Sequence, residues 1–371
     1  MNSYRLPALQ IGNLTMSTPI IQGGMGVGIS LSGLASAVAN QGGIGVISSV
    51  ALGLLNKDKN MKYRQANLEI LRREIRTARR KTNGVIGLNI MVAMTDFEDL
   101  LRTAIEEEVD IVFMGAGLPL RFPQGFTPQM IRECRTHFVP IVSSGRAAQL
   151  IFKHWEKKFG RIPDAVVVEG PKAGGHLGFK KEQIFNPAYR LENLVPEVIA
   201  ALAEFEERQD KAIPVIAAGG IYTGADARKF LELGAAGIQM GTRFVATNEC
   251  DASEKFKQSY VDCKKEDIVI IQSPVGLPGR AIRNGFINDV SAGEKKPFKC
   301  SWKCLKTCDF RTAPYCIADA LNNAQKGRLL KGFTFAGSNA FRVDKIISVK
   351  ELFESLAFEY AASFALENAV A

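Results

Sequence analysis

The sequence predicts an α/β protein built as a (β/α)8 TIM barrel with a smaller C-terminal cap, on three observations. Eight short apolar runs alternate with helix-like segments over about 245 residues, which is the count a closed barrel needs. Nearly all of these runs are continuously apolar, the pattern of parallel strands buried on both faces. The seventh and eighth runs end in Gly219-Gly220 and Gly241-Thr242, at the place where such barrels commonly bind phosphate.

In chain order, Pro19 to Gly24 reads as a strand entering a glycine loop, and Ser32 to Ala39 as the helix after it. Gly43 to Ser49 is the second strand, followed by a long amphipathic helix from Lys62 to Lys81. The third and fourth units are Val85 to Val92 with a helix from Phe97 to Glu107, and Asp110 to Gly117 with a helix from about Pro128. Val139 to Ser144 precedes a helix around Ala147 to Trp155, and Asp164 to Glu169 precedes one from about Leu194 to Glu207. Ile213 to Ala218 feeds the helix Gly224 to Leu233, which Gly234 stops. Gly237 to Gly241 is the eighth strand. A doubly wound nucleotide-binding fold competes, but its glycine fingerprint should follow the first strand, and Gly23-Gly-Met-Gly-Val-Gly28 matches it poorly.

The regular alternation ends near residue 250. Three segments are expected: residues 1–250 as the barrel, 251–335 as a cap or insertion, and 336–371 as a C-terminal helix on the barrel. Within the cap, Tyr260 to Lys265 reads as helical and Gly276 to Arg283 as a loop entering a basic turn; Val349 to Ala362 is an amphipathic helix.

The formal charge of +9 raises the question of nucleic acid, but the cations of Leu71 to Lys81 are interleaved with acids and lack an aromatic platform. They read as a solvated helix face, and no nucleic acid is expected. No stretch reaches the roughly 18 apolar residues that cross a bilayer, and the residues from Met1 to Pro7 lack the layout of a signal peptide. The expectation is a cytoplasmic protein without a membrane span.

His176, one of three histidines, sits in Ala173-Gly-Gly-His176 just after the sixth strand. Taken alone it could cap a turn or fill a core hydrogen bond. At a strand's carboxyl end, flanked by glycines that admit a ligand, it becomes the best candidate for proton transfer near neutral pH. Backbone amides exposed by Gly219, Gly220 and Gly241, with the Thr242 hydroxyl, would cradle a phosphate dianion. Lys172, Glu169 and Ser144 are further polar groups near this rim, each with a plain structural reading. His137 and His154 read as structural or surface residues.

Gln22-Gly-Gly-Met-Gly26, Asn89, Ala173-Gly-Gly-His176, Ala218-Gly-Gly220 and Met240-Gly-Thr-Arg-Phe244, taken together, resemble the flavin-dependent nitronate monooxygenase family and its relative, the flavin-containing enoyl-acyl-carrier-protein reductase. The resemblance covers nearly the whole chain. It implies a barrel that holds FMN without a covalent bond. Gly23, Gly24 and Met25 would line the ring, with Gly174 and Gly175 beside it, and Asn89 would bond its polar edge or the ribityl chain. Gly219, Gly220, Gly241 and Thr242 would hold the phosphate, and His176 would be the catalytic acid or base. The function implied is oxidation of alkyl nitronates with O2. Two alternatives stay open: an NAD(P)H-dependent reductase of an enoyl thioester or quinone, and a barrel that binds flavin or a phosphate ligand without catalysis. The partners expected are a small-molecule substrate, with an acyl thioester, an electron-transfer partner and a second copy of the chain as further candidates.

Seven cysteines argue against a complete disulfide framework. Four of them form Cys300-x3-Cys304-x3-Cys308-x7-Cys316, a departure from the family pattern. Four thiolates within 17 residues are enough to ligate one [4Fe–4S] cluster or one zinc ion, and free thiols are the third reading.

Overall fold

The computed structural model describes residues 5–58, 60–300 and 302–368, with side chains described as far as residue 365. Met1 to Tyr4, which enter the expectation about the N-terminus, and the last three residues of the C-terminal segment lie outside them.

Eight parallel strands form the barrel: β3 (Ile20–Gln22), β4 (Gly45–Ser48), β5 (Ile86–Met91), β6 (Ile111–Gly115), β7 (His137–Val142), β8 (Val166–Glu169), β10 (Val215–Ala218) and β11 (Gly237–Met240). Two short strands at the N-terminus, β1 (Leu9–Ile11) and β2 (Leu14–Met16), precede them, and β9 (Gly175–His176) lies between β8 and β10. Each barrel strand pairs with the next in chain order; β11 returns to pair with β3, and an isolated parallel bridge from Ile21 to Ile44 joins the first two units. The expected barrel is therefore the observed one.

Its interior is a packed core of Ile21, Phe113, Val139, Val167 and Ile216, all fully buried. Leu9, Ile11 and Met16 belong to the same cluster, so the β1–β2 hairpin plugs the amino-terminal end of the barrel. The reading of the sequence missed this hairpin, although Gly12-Asn13 between two apolar-alternating triplets is a hairpin signal. At the same end Asp164 gathers Arg161 at 2.7 Å, Lys211 at 2.9 Å and His137 at 3.3 Å, and its carboxyl is held well below the usual range even though burial pushes it up. His137 is thus structural, as expected. So is His154, whose Nε2 bonds the Leu120 carbonyl at 2.9 Å.

The helices of the outer layer are α1 (Ser32–Asn40), α2 (Tyr63–Lys81), α3 (Phe97–Glu106), α4 (Pro128–Glu133), α5 (Gly145–Phe159), α6 (Leu191–Gln209), α7 (Gly224–Glu232) and the single turn α8 (Thr242–Val245). In α2, Ala66, Ile70, Leu71, Ile75 and Ala78 face the core at helical spacing. Its outer Arg72 and Arg76 pair with Glu106 and Glu107 of the α3 end. The basic run is a solvated face, as its pattern implied.

Beyond the barrel come α9 (Glu254–Val261), β12 (Ile268–Gln272), β13 (Pro278–Ile282), α10 (Gly285–Ser291), α11 (Ile317–Gln325), β14 (Thr334–Phe335) and α12 (Val349–Asn368). Two expectations are corrected here. The helix expected over Tyr260 to Lys265 runs earlier, as α9, and stops at Val261. The segment expected as a loop at Gly276 to Arg283 contains β13, every residue of which is buried. β13 is the centre of a small antiparallel sheet with β12, β14 and β9. Helix α12 lies so close on α7 that a Cβ at Gly224 would stand 2.1 Å from the Leu356 carbonyl oxygen.

Candidate active site at the carboxyl ends of the strands

The loops leaving the barrel strands enclose a cavity of about 340 Å³, roofed by the segments that follow the barrel. Every barrel residue proposed for a ligand from sequence lines it: Gly23, Gly24, Met25, Asn89, Gly174, Gly175, His176, Gly219, Gly220, Gly241 and Thr242. They come from β5 and from the segments that follow β3, β8, β10 and β11, which only barrel closure brings together.

At one end, Gly219 and Gly220 take consecutive left-handed conformations, with φ of +98° and +88°. Among the described residues their backbone N–H groups donate to no acceptor, which leaves an anion-receptive concavity. The Thr242 hydroxyl accepts from the Gly337 N–H at 3.1 Å, so its own proton is free for a ligand. Lys172 packs over Gly220 and lines the same end. Asn339 donates to the Gly220 carbonyl at 2.7 Å and fixes the turn from the roof side.

The middle of the cavity is walled by glycine for two distinct reasons. At Gly24 a Cβ would fall 2.3 Å from Cβ of Asn89, so the glycine is what lets the Asn89 side chain into the wall. At Gly241 a Cβ would meet only Met25 Sδ at 3.7 Å; the space it leaves is the cavity itself. Two polar groups there are unspent. The Ser48 hydroxyl is buried without a partner, and the Asn89 amide makes no side-chain hydrogen bond among the described residues. A planar heterocycle with hydrogen-bonding edges and a phosphate tail fits this distribution of bare glycine, orphan donors and anion cradle.

His176 is half-buried in the wall, in β9 rather than on a free loop. Its backbone pairs antiparallel with β13 at Gly279. Its Nε2 lies 2.7 Å from the Ser273 hydroxyl, and Phe335 packs edge-on against the ring at 5.0 Å between centroids. Burial pushes its pKa down to about 4, so the imidazole is neutral at pH 7. Glu169, at the end of β8 and also in the wall, is pushed the other way by burial, to about 7. The buried Arg280 of β13 donates to the carbonyls of Pro171 and Ala173 at 2.6 Å each, pinning the loop between Glu169 and His176. Of the other polar groups noted from sequence, Lys172 and Glu169 reach the cavity, whereas Ser144 caps α5 by accepting from the Ala147 N–H.

The cysteine expectation finds no support in the structure. Cys300, Cys304, Cys308 and Cys316 lie within electrostatic range of one another. Among the described residues, however, no three His, Cys, Asp or Glu side chains converge as metal ligands. The anticipated [4Fe–4S] or zinc ligand set is thus unsupported among the described residues. Burial and the neighbouring thiols push Cys304 up to about 12, which keeps it a neutral thiol. The segment instead builds the apolar wall of the cavity, with Cys304, Leu305, Ile317, Ala318 and Leu321 opposite Met25, Val50 and Met94. A Met94–Leu305 bridge anchors it to the loop after β5.

Sequence reasoning missed Ser273, Arg280, Phe335 and Asn339. Each lies far along the chain from the glycine motifs, and none carries a spacing signal that ties it to them.

Comparison with known proteins agrees with this geometry. The chain is 27% identical over 277 residues to (3aS,4S,5R,7aS)-5-hydroxy-7a-methyl-1-oxo-octahydro-1H-indene-4-carboxyl-CoA dehydrogenase of Mycobacterium tuberculosis, covering 75% of this chain but 66% of that relative, just under two thirds of its length. It is 26% identical over 306 residues to a probable nitronate monooxygenase of Staphylococcus aureus, covering 76% of this chain and 79% of the relative. Among solved structures, FabK from Thermotoga maritima superposes with a TM-score of 0.73 at 28% identity, covering 96% of each chain. Nitroalkane oxidase from Streptomyces ansochromogenes shares the fold, with a TM-score of 0.71 at 21% identity over 96% of this chain and 98% of that one. Among the described residues no helix is long and apolar enough to cross a membrane. The family model described as nitronate monooxygenase matches residues 8–359, and the chain is accordingly an oxidoreductase that belongs to the nitronate monooxygenase family.

Proposed function

We propose that the protein is an FMN-dependent oxidoreductase of the nitronate monooxygenase type, oxidising alkyl nitronates with O2. The observation that carries this reading is the continuity of one cavity from an anion cradle to a neutral histidine. Gly219, Gly220, Gly241 and Thr242 would hold the FMN phosphate, with Lys172 offsetting its charge. Gly23, Gly24 and Met25 would lie along the ring with Gly174 and Gly175, and Asn89 and Ser48 would meet its polar edges. When bound, FMN supplies the capacity to accept electrons from substrate and pass them on.

The chain's own residues do the rest. The glycine wall lets the ligand approach the backbone, and the roof excludes water from the reacting carbon. Neutral His176 is poised as a hydrogen-bond or proton donor toward a nitronate, nitro or carbonyl oxygen. Lys172 and the backbone N–H groups make the cavity receptive to anions, which suits a nitronate as well as a phosphate.

One observation favours a second reading, an NAD(P)H-dependent reductase of an enoyl thioester or quinone. The apolar wall of Leu305, Ile317 and Leu321 exceeds what a small nitronate needs and would accommodate a chain. The name of the mycobacterial relative, a carboxyl-CoA dehydrogenase, points the same way.

The experiment compares O2 uptake with ethyl nitronate against NADH or NADPH oxidation with a crotonyl thioester, for wild type and His176→Ala. The expected outcome is nitronate-dependent O2 uptake that falls by about 10² to 10⁴ in the variant while FMN stays bound. Turnover with neither substrate, or an unchanged rate in His176→Ala, would overturn the reading.

A further inference from the structure

The hydroxyl that meets His176 comes from a turn in the roof, ninety-seven residues away in sequence. Ser273 closes that turn with its backbone: its N–H donates to the Leu277 carbonyl, and its carbonyl accepts from the Gly276 N–H, both at 3.0 Å, with Gly276 at φ +85°. The side chain is 3% exposed, so its proton has to be satisfied inside the protein. Its oxygen already receives the Val275 N–H at 3.4 Å.

Two arrangements of the short His176–Ser273 contact are open. If Nε2 carried the ring proton, Ser273 would accept twice, and its own buried proton would have no acceptor among the described contacts. If Ser273 donates to the Nε2 lone pair, every group is satisfied and the single proton of the neutral ring lies on Nδ1. Nδ1 makes no hydrogen bond to the described protein, and the ring lines the cavity.

We propose that Ser273 is a positioning residue that holds His176 in the Nδ1–H tautomer, leaving Nδ1–H as the one donor the ring presents to a ligand. The cap thus completes the site chemically as well as sterically. Backbone pairing at Gly279 places the His176 strand, Arg280 pins the loop before it, and Ser273 chooses which nitrogen faces the chemistry. The importance of that choice for turnover rests on the catalytic reading of His176; the tautomer itself does not.

The other two histidines contribute their own imidazole signals. His137 Nε2 meets the Asn13 side-chain oxygen at 2.7 Å, and His154 Nε2 meets a backbone carbonyl. The carbonyl only accepts, so His154 carries a proton on Nε2, whereas His137 turns Nδ1 to the Asp164 carboxylate at 3.3 Å and so carries a proton on Nδ1. Long-range 1H–15N correlation spectra of 15N-histidine-labelled, flavin-loaded protein at pH 7 read the His176 tautomer directly, with His176→Gln assigning the signal.

The expected result is an Nδ1–H imidazole for His176 in wild type. It is lost to an Nε2–H or averaged signal in Ser273→Ala and retained in Ser273→Thr, which keeps the hydroxyl. An Nε2–H His176 in wild type overturns the proposal even if the alanine variant fails to fold, and so does an Nδ1–H signal unchanged in Ser273→Ala. An inactive enzyme with the expected tautomer would count against the catalytic reading and leave the positioning role standing.

Discussion

Glu169 and His176 sit in one wall and titrate in opposite senses, which makes the pH dependence of stability a test of their burial. In the flavin-free protein His176 drops from 6.5 to about 4 on folding. The unfolded chain therefore binds more protons between those values, and this contribution is intact above pH 6.5 and lost as pH falls through 4. Glu169 rises from 4.5 to about 7; its contribution is present below 4.5 and lost as pH rises through 7. Across the shared window the two oppose each other. Glu169→Gln is expected to stabilise the flavin-free protein at pH 8 by about 1 kcal/mol, a partial effect because the carboxylate borders an open cavity, and the gain should vanish near pH 4.5. Urea melts at the two pH values decide it, and equal gains at both would mean that Glu169 is not desolvated. Gly241 offers a second test at this scale. A methyl there clashes with no protein atom but enters the cavity, so Gly241→Ala should leave the melting temperature unchanged while weakening FMN by about tenfold or more, or 1.4 kcal/mol. Fluorescence titration against thermal melts separates the two effects.

At the scale of elements, β13 does for the site what no barrel strand does. It carries Arg280 to the loop after β8 and pairs with the His176 strand. Burial lowers the Arg280 pKa to about 10, and two backbone carbonyls receive it. Arg280→Ala would leave both carbonyls without their donor in a buried place, at an expected cost of about 1–3 kcal/mol by urea denaturation. A change below the error of the measurement would mean that the loop is held by other contacts. β13 also shows why the cap was illegible in the sequence. Pro278, Gly279 and Arg280 have poor strand character, and their burial comes from β12, β14 and β9, the last of these more than a hundred residues away. The barrel strands were legible because most of their residues are apolar on both faces within one short run. Val166 to Val168 needs no partner to announce a buried strand. The Gly12-Asn13 turn was equally local and was simply passed over.

At the scale of the whole molecule, the parallel barrel brings loops after β3, β5, β8, β10 and β11 to one mouth, and the chain that follows closes it. The glycine and histidine positions were readable before the structure because barrel topology fixes which strand ends share a face. Ser273, Arg280 and the apolar wall at Leu305 to Leu321 were not, because the cap follows no such rule. The cysteine spacing is another case: among the described residues it meets no metal-ligand group, while Cys304 and Leu305 of the same segment line the cavity. The central claim is that the cavity is built for a flavin held by its phosphate at Gly219, Gly220, Gly241 and Thr242. It is tested most directly by measuring the dissociation constants of FMN and riboflavin for the flavin-stripped protein under one set of conditions. FMN is expected to bind at a one-to-one ratio and at least about a hundredfold more tightly than riboflavin, roughly 2.7 kcal/mol carried by the phosphate. Equal affinities, or no binding of either flavin, would contradict the account.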